Sequence, residues 1–380
     1  MIRLINYIKF NLAILKNLFI LADKKIKFVF YSENKFYQKY SISMIDLIAK
    51  KYPKQIYYVS SDIYDKIDNQ NVKNLFIGSG FFMKIFFHII KAEYFFLTLT
   101  DLDNHYLKRN KFVGKYIYYF HGAGSTFKGY TKRAFDNYDI VLCNGLFQAN
   151  EIKFNEDQKN LKKKKLILTG YFYLDYISKK INKNRKPDEI LLAPSWTYKH
   201  KNFINENCIN LIDELIKNKH NVCFRPHPEH FKRSKRTLKN IQERFSSNKN
   251  FRFDDDPENI SSMERAKCLI TENSGFFLEF MLTFNRPVLF LDDGIDKSHN
   301  ENYADVKDFL ALEVKFRNEF CETFSGNEIK DVDMLIRKSL ENFPSKIPKL
   351  NHFKNDSYFN LGKTIEEFEK ILDNQILVKN

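Results

Sequence analysis

Hydrophobic and polar positions along this chain follow two alternating rhythms. Short apolar runs, the mark of strands buried on both faces, recur at Ile26–Tyr31, Ile56–Ser60, Leu75–Gly78, Tyr94–Leu99, Tyr116–Phe120, Ile140–Cys143 and Leu166–Thr169. Between several of them the spacing turns helical, as at Ser41–Lys51 and Thr131–Phe135. A polar, basic stretch over 177–187 reads as a linker. The pattern then restarts, with strands predicted at Ile190–Ala193, Val222–Arg225, Phe251–Phe253, Cys268–Thr271 and Val288–Leu291 and a last helix at Thr364–Leu372. Such alternation argues for doubly wound, mainly parallel sheets. The expected organisation is an N-terminal helix (1–22), a first α/β domain (23–180), a second (188–345) and a helical segment (346–380) able to cross back to the first. Two such domains would face a central cleft, with ligands at the carboxyl ends of the strands.

Two apolar stretches break this rhythm. Residues 1–22 carry Arg3, Asn6, Lys9, Lys16 and Asn17 roughly on one helical stripe, and the charges interrupt what would be a spanning segment or a signal sequence. The stretch reads either as an amphipathic helix lying in a membrane surface or as a helix packed on the protein's own body. Phe81 to Leu97, broken by Lys84, His88, Lys91 and Glu93, reads as a helix followed by a strand.

Composition narrows the class. The 380 residues suffice for two domains, and a hydrophobic content of 43% supports a real core. The five cysteines lie far apart with no C-x-x-C pair, which points to a reducing compartment and buried thiols rather than zinc or disulfides. Net charge is +15, with basic runs at Lys162–Lys165 and Lys232–Lys239. That charge is either a Lys- and Asn-rich bias or an attraction to anionic lipid headgroups or a polyanionic substrate. No nucleic-acid-binding motif accompanies it.

Four polar clusters follow predicted strands. In the first, His121 ends an apolar run and precedes Gly122, Gly124, Ser125 and Lys128. A histidine there suits a general base, or a structural hydrogen bond. In the second, Ser195 and Trp196 follow Ala193 and Pro194, and the indole would either wall a nucleotide site or pack. In the third, Arg225 and His227 stand between two prolines, a fixed cation beside an imidazole that suits phosphate. The fourth runs Thr271-Glu272-Asn273-Ser274-Gly275 into a helix carrying Glu279. Such a turn offers free backbone N–H groups and a positive helix end to a phosphate, with Glu279 in reach of a ribose. Equally, Asn273 or Ser274 caps the helix. Asp254-Asp255-Asp256 resembles a metal site, but Asp256 as N-cap with Pro257 at the first helical position explains most of it. There is no Walker P-loop, G-x-S-x-G or H-E-x-x-H motif.

At these clusters the chain resembles the CDP-glycerol glycerophosphotransferase family, enzymes that polymerise teichoic-acid-like chains. His121-Gly122 matches the family's H-G motif, and Ser125–Lys128 through Ala134–Asp139 looks like its continuation. Ala193–Trp196 matches A-P-[ST]-W, and His227-Pro228 matches H-P. Leu269–Gly275 stands at L-I-T-D-Y-S-S, followed by Glu279 and then Arg286-Pro287-Val288 at K-P-V. Glu272, Asn273 and Gly275 depart from that pattern, and T-E-N-S-G also looks like the T-D-S-G-G turn of UDP-N-acetylglucosamine 2-epimerases. The resemblance covers about residues 115–295.

The resemblance implies a GT-B-like α/β fold of two Rossmann-like, doubly wound domains. It implies transfer of a glycerophosphate-like unit from a CDP-activated alcohol to a hydroxyl of a lipid-linked, polyanionic acceptor, with CMP leaving. His121 would be the base, with Gly122, Ser125 and Lys128 on the acceptor side. Arg225 and His227 would stabilise charge. Thr271, Glu272, Asn273, Ser274 and Gly275 would cradle the pyrophosphate, Glu279 would hold the ribose, and Ser195 and Trp196 would line the nucleotide site. No cofactor is expected, and a divalent metal requirement stays open. The protein would work in the cytoplasm, peripheral to the inner face of the cell membrane. The alternatives are a nucleotide-sugar glycosyltransferase or UDP-sugar 2-epimerase on the same fold, and a non-catalytic binding module.

Overall fold

A strand with apolar side chains on both faces must be covered on both sides, and that requirement organises this molecule. The computed structural model describes residues 2–103, 107–182, 184–196, 202–272, 274–292, 303, 306 and 310–377, with side chains from Phe10 onward. The chain folds as two units. The first holds residues 1–121, 129–176 and 357–380, and the second holds 122–128 and 177–356.

In the first unit the strands are β1 (Ile26–Ser32), β2 (Ile56–Ser60), β3 (Val72–Phe76), β4 (Ala92–Leu97), β5 (Val113–Tyr119), β6 (Ile140–Cys143) and β7 (Lys165–Leu168). They form one parallel sheet in the order β3-β2-β1-β4-β5-β6-β7. In the second unit β8 (Glu189–Ala193), β9 (Asn221–Phe224), β10 (Phe251–Phe253), β11 (Ala266–Thr271), β12 (Val288–Asp292) and β13 (Glu322–Ser325) follow the order β10-β9-β8-β11-β12-β13. Both are doubly wound: the chain builds outward from a central strand, β1 or β8, then reverses to the other side. The helices are α1 (Ile2–Asp23), α2 (Ile42–Lys51), α3 (Phe81–Ile89), α4 (Thr126–Gly129), α5 (Leu146–Gln158), α6 (Phe172–Lys180), α7 (Glu206–Lys217), α8 (Pro228–Arg233), α9 (Lys235–Phe245), α10 (Ile260–Arg265), α11 (Phe276–Phe284), α12 (Leu312–Phe320), α13 (Val332–Ser357) and α14 (Thr364–Ile371).

Alternation along the strands divides the first unit's core in two. Val29, Tyr31, Phe95 and Tyr116 face α1 and α3, which contribute Ile14, Leu18, Leu21, Phe86 and Phe87. Phe28, Phe30, Tyr94 and Ile117 face α2 and the returning tail, which contribute Met44, Ile45, Ile48, Phe368 and Leu372. In the second unit Ile190, Leu192, Cys268, Ile270 and Leu289 pack on α7, α9 and the start of α13.

Three expectations need correction. Thr131–Phe135 is a run of turns, not a helix. Asp256 caps no helix: its carboxylate accepts from the Glu258 N–H at 2.9 Å, and α10 starts four residues later, behind Asn259. The polar stretch from 177 begins inside α6 rather than as a loop.

Helix α1 packs on the protein's own body through one face. Ile14, Leu18 and Leu21 are buried, and the Asn17 amide donates to the Phe76 carbonyl at 2.8 Å. The opposite face leaves Leu12 (58% exposed), Leu15 (40%) and Phe19 (74%) in the open around exposed Lys16. Among the described residues no helix is long and apolar enough to cross a membrane.

Candidate active site

Strand β5 carries buried Tyr116–Phe120 and delivers His121 at its carboxyl end. The ring stands in an aromatic enclosure. Tyr37 meets it edge-on with centroids 5.3 Å apart, Tyr40 at 6.1 Å and Tyr130 at 6.3 Å. Tyr37 and Tyr40 come from the 3-10 turn after β1, where the Asn34 side chain accepts from the Phe36 N–H at 3.0 Å. Tyr173 packs behind Tyr40 at 5.0 Å. The imidazole is half-buried, yet its Nδ1 is sealed from solvent and has no hydrogen-bond partner among the described residues. Burial pushes its pKa down to about 4, because a charged ring would lose hydration there.

The residues after His121 fold with the second unit. Nothing lies within 4 Å of where a Cβ on Gly122 would stand. Ser125 is buried, its N–H donating to Glu313 Oε2 at 2.9 Å and its hydroxyl accepting from Phe127 N–H at 3.2 Å. Lys128 is half-buried in α4.

In the second unit the other clusters meet where the sheet order reverses. Strand β8 lies between β9 and β11, with Leu192 opposite Phe224 and Ala193 opposite Thr271. Cross-links fasten the three strand ends. The Arg225 N–H donates to Leu192 O at 2.9 Å, the His227 N–H to Pro194 O at 3.3 Å, and Thr271 Oγ1 to Ala193 O at 2.7 Å. His230 is fully buried, with Nε2 2.9 Å from Ser195 O and Nδ1 3.0 Å from Ser234 Oγ. A carbonyl only accepts, so Nε2 carries a proton, and burial lowers the ring's pKa. Trp196 stands edge-on to that ring at 5.1 Å, with the Arg233 guanidinium 5.7 Å from the indole. Ser195 is buried and Trp196 half-buried.

His227 and Arg225 are held differently. His227 Nδ1 accepts from the Glu229 N–H at 3.2 Å, capping α8 with Pro228 in its first turn. That bond needs an unprotonated Nδ1, so the neutral ring carries its proton on Nε2. The ring as a whole is exposed, yet the protein packed around it, and secondarily His230, push its pKa down to about 4. The capping bond supports the same direction. Arg225 is engaged twice, with Asp254 Oδ2 at 2.6 Å and with Asp256 O at 2.7 Å. Burial alone would raise the Asp254 carboxyl. The guanidinium and the Ser262 hydroxyl overcome that and hold it below the usual range. The acidic triplet thus serves as an anchor for Arg225, and among the described residues no group of His, Cys, Asp and Glu is arranged to hold a metal ion.

The fourth cluster opens α11. Ser274 Oγ accepts from the Phe276 N–H at 3.1 Å, and Gly275 faces open space at the helix N-terminus. Glu272 and Glu279 are buried, Glu279 in the helix's first turn. Asn273 lies outside the described residues. Arg286 donates to the carbonyls of Met263, Glu264 and Ala266 at 2.7–3.1 Å, closing the end of α10. The sequence reading missed Tyr37, Tyr40, His230, Asp254 as a partner, and Glu313. The K-F-Y-Q-K-Y segment after β1 was the one local signal, since turns at the carboxyl ends of central strands face ligands in such sheets.

No family model and no curated protein matches the chain. Solved structures do. A crystal of a variant of the wall teichoic acid polymerase TagF, soaked with CDPG, aligns with a TM-score of 0.62 at 14% identity, over 99% of this chain and 95% of that one. The S. aureus MnaA structure with UDP aligns with a TM-score of 0.59 at 10% identity, over 94% and 98%. A Methanocaldococcus jannaschii UDP-GlcNAc 2-epimerase with UDP-GlcNAc and UDP aligns at 0.53 with 16% identity, over 92% and 100%. The fold is therefore the GT-B-like pairing of two parallel-sheet α/β domains.

Proposed function

We propose that this chain is a phosphotransferase that moves a glycerophosphate-like unit from a CDP-activated alcohol to a hydroxyl of a lipid-linked, polyanionic surface polymer. The observation that carries the reading is His121. A buried polar atom without a partner marks a place where a ligand group completes the bonding, and its Nδ1 is such an atom. The acceptor hydroxyl supplies that partner. As its oxygen bonds to the phosphorus of the polyol phosphate, its proton passes to His121. The bond from that phosphorus to the bridging oxygen breaks, and its electron pair leaves with CMP. A depressed pKa keeps the ring neutral, and so able to accept, at physiological pH.

The strand ends of the second unit take the donor. His227, neutral with Nε2–H outward, donates to the departing phosphate. The turn that leads into α11, with Asn273, Ser274 and Gly275, cradles the pyrophosphate, Thr271 and Glu272 lie beside it on the donor side, and Glu279 in the first turn of the helix meets the ribose. Ser195 and Trp196 border the nucleoside. Arg225, already paired, stiffens this rim rather than meeting the phosphate as a free charge. Gly122, Ser125 and Lys128 lie on the acceptor side. The outer face of α1 rests on the inner leaflet, with Leu12, Leu15 and Phe19 among the acyl chains and Lys16 at anionic headgroups. Changing those three apolar residues to Ser should release the protein from anionic vesicles in flotation without lowering its melting temperature. Retained binding would remove the membrane from the reading.

A second reading, a UDP-sugar epimerase or glycosyltransferase, is favoured by the likeness to the UDP-bound MnaA structure and to a UDP-bound UDP-GlcNAc 2-epimerase and by the T-E-N-S-G turn. Calorimetric titration with CMP, CDP, UMP and UDP separates the two. Selective binding of cytidine nucleotides, weakened about tenfold or more in His227→Ala, supports the phosphotransferase. Preference for uridine nucleotides sinks it, and binding without turnover points to a non-catalytic module.

A further inference from the structure

In the first unit, the loops that follow β1 and β2 are stitched together on one buried carboxylate. Ser32 ends β1 and Ser60 ends β2, and the two are register partners in the sheet. Asp65, in the loop after β2, is buried. It accepts from the Ser60 hydroxyl at 2.8 Å and from the Tyr58 hydroxyl, which lies 2.9 and 3.0 Å from its two oxygens. Both donors are buried as well. A further contact crosses to the other loop. The Gln38 side-chain amide donates to Asp65 Oδ1 at 3.2 Å and to the Lys66 carbonyl at 2.8 Å, so both of its hydrogens go to the loop after β2. The Lys35 N–H reaches the same loop, at Asp62 Oδ2, over 3.3 Å.

Gln38 stands in the middle of the 3-10 turn, between the two tyrosines that meet His121. Short 3-10 turns have weak internal hydrogen bonding, so outside contacts decide where such a turn sits. Asp65 is a costly outside contact, because burial disfavours its charge and neutral donors only partly offset that. Simple packing would be served better by an apolar side chain. All of these residues, His121 included, belong to the first unit.

We propose that Asp65 is a positioning residue: through Gln38 it holds the 3-10 turn where Tyr37 and Tyr40 pack on His121, and so fixes the imidazole. This rests on the reading of His121 as the base. Small misplacements of a reacting group cost large factors in rate. The groups that face the imidazole are Tyr37 and Tyr40 from the 3-10 turn and Tyr130 from the loop after α4. Burial is what lowers the pKa of His121, so its titration reports how closely those rings enclose it.

Gln38→Ala is the sharpest variant, because it cuts the link and leaves Asp65 its Tyr58 and Ser60 donors. In full-length protein, hydrogen exchange corrected for intrinsic rates should show amides of residues 36–41 exchanging about tenfold faster or more. NMR titration of His121, assigned by its loss in His121→Ala, should have a midpoint near 4 in wild type. In Gln38→Ala it should rise by about half a unit or more as water reaches the ring. Release of CMP from CDP-glycerol should fall about fivefold or more in kcat with little change in KM. Asp65→Ala should act in the same direction on all three. Asp65→Asn, which keeps an acceptor for Gln38, should stay close to wild type. The Gln38→Ala/Asp65→Ala double variant should be no slower than the worse single one, since both act through one link. Unchanged exchange and an unchanged midpoint in Gln38→Ala overturn the proposal, as does simple multiplication of the two rate effects. If His121→Ala retains full turnover the base assignment falls, while exchange and midpoint still decide whether this link holds the ring.

Discussion

The two units each present a histidine whose pKa is driven to about 4, but the rings are held by opposite means. His121 is fixed by packing against three tyrosines, and its buried Nδ1 has no hydrogen-bond partner among the described residues. His227 is fixed by a hydrogen bond, its Nδ1 spent on a helix cap and its other nitrogen outward. Packing holds a ring while leaving its bonding capacity for a substrate proton, whereas a capping bond commits one nitrogen and makes the other a donor of defined tautomer. The same depressed basicity thus suits a proton acceptor in one unit and a neutral donor to phosphate in the other.

Removing each support tests that contrast. His121→Ala should lower turnover by about 10² to 10⁴-fold, the usual worth of a general base, with the melting temperature within a few degrees of wild type; full activity would end its role. Arg225→Ala should act on stability, costing about 3–5 kcal/mol because it strands the Asp254 carboxylate in the interior. Urea denaturation should show most of that loss recovered in Arg225→Ala/Asp254→Asn. Failure of the second change to rescue would mean that the pair is not the anchor. The pH dependence is the smaller effect. Both histidines sit below the unfolded value of 6.5, so between pH 6.5 and 4 the unfolded chain binds more protons than the folded one. Their contribution is complete above 6.5 and is lost as pH falls towards 4, with His121 accounting for up to about 3 kcal/mol. His121→Ala should flatten that slope in equilibrium unfolding between pH 7 and 4.5; an unchanged slope would place its titration in the ordinary range.

The doubly wound architecture was legible because buried parallel strands write themselves as apolar runs, and β1–β12 each coincide with one to within a few residues. Strand β13 was not, since Glu322-Thr323-Phe324-Ser325 lies at a sheet edge and reads as a polar turn. The four clusters were visible because each follows a strand. Their wiring was hidden, because the partners are remote in the chain: Asp254 lies 29 residues from Arg225, His230 lies 35 from Ser195, and Glu313 lies 188 from Ser125. Arg286-Pro287-Val288 shows how a motif position can have a purely structural meaning, its guanidinium closing a helix end. Of the two readings of residues 1–22, the structure bears out the self-packing one through Ile14, Leu18 and Leu21, and it leaves Leu12, Leu15 and Phe19 exposed on the other face. Deleting those residues would therefore remove Ile14, Leu18 and Leu21 from the core as well as any lipid contact.

The first unit is assembled from three separate lengths of chain, the last of them 357–380. Phe368 and Leu372 from that last length sit in the same cluster as Phe28 and Phe30 of β1. On the ribosome, the unit that starts first is therefore the one that finishes last. Its sheet is complete at Leu168 but waits for about two hundred further residues before the face under α2 is fully covered. The second unit, nearly continuous, has all its strands in hand well before then. An intermediate with a finished second unit and a first sheet only partly covered on one face is the expected species on the way to the native chain, and the place where a chaperone would have most to hold.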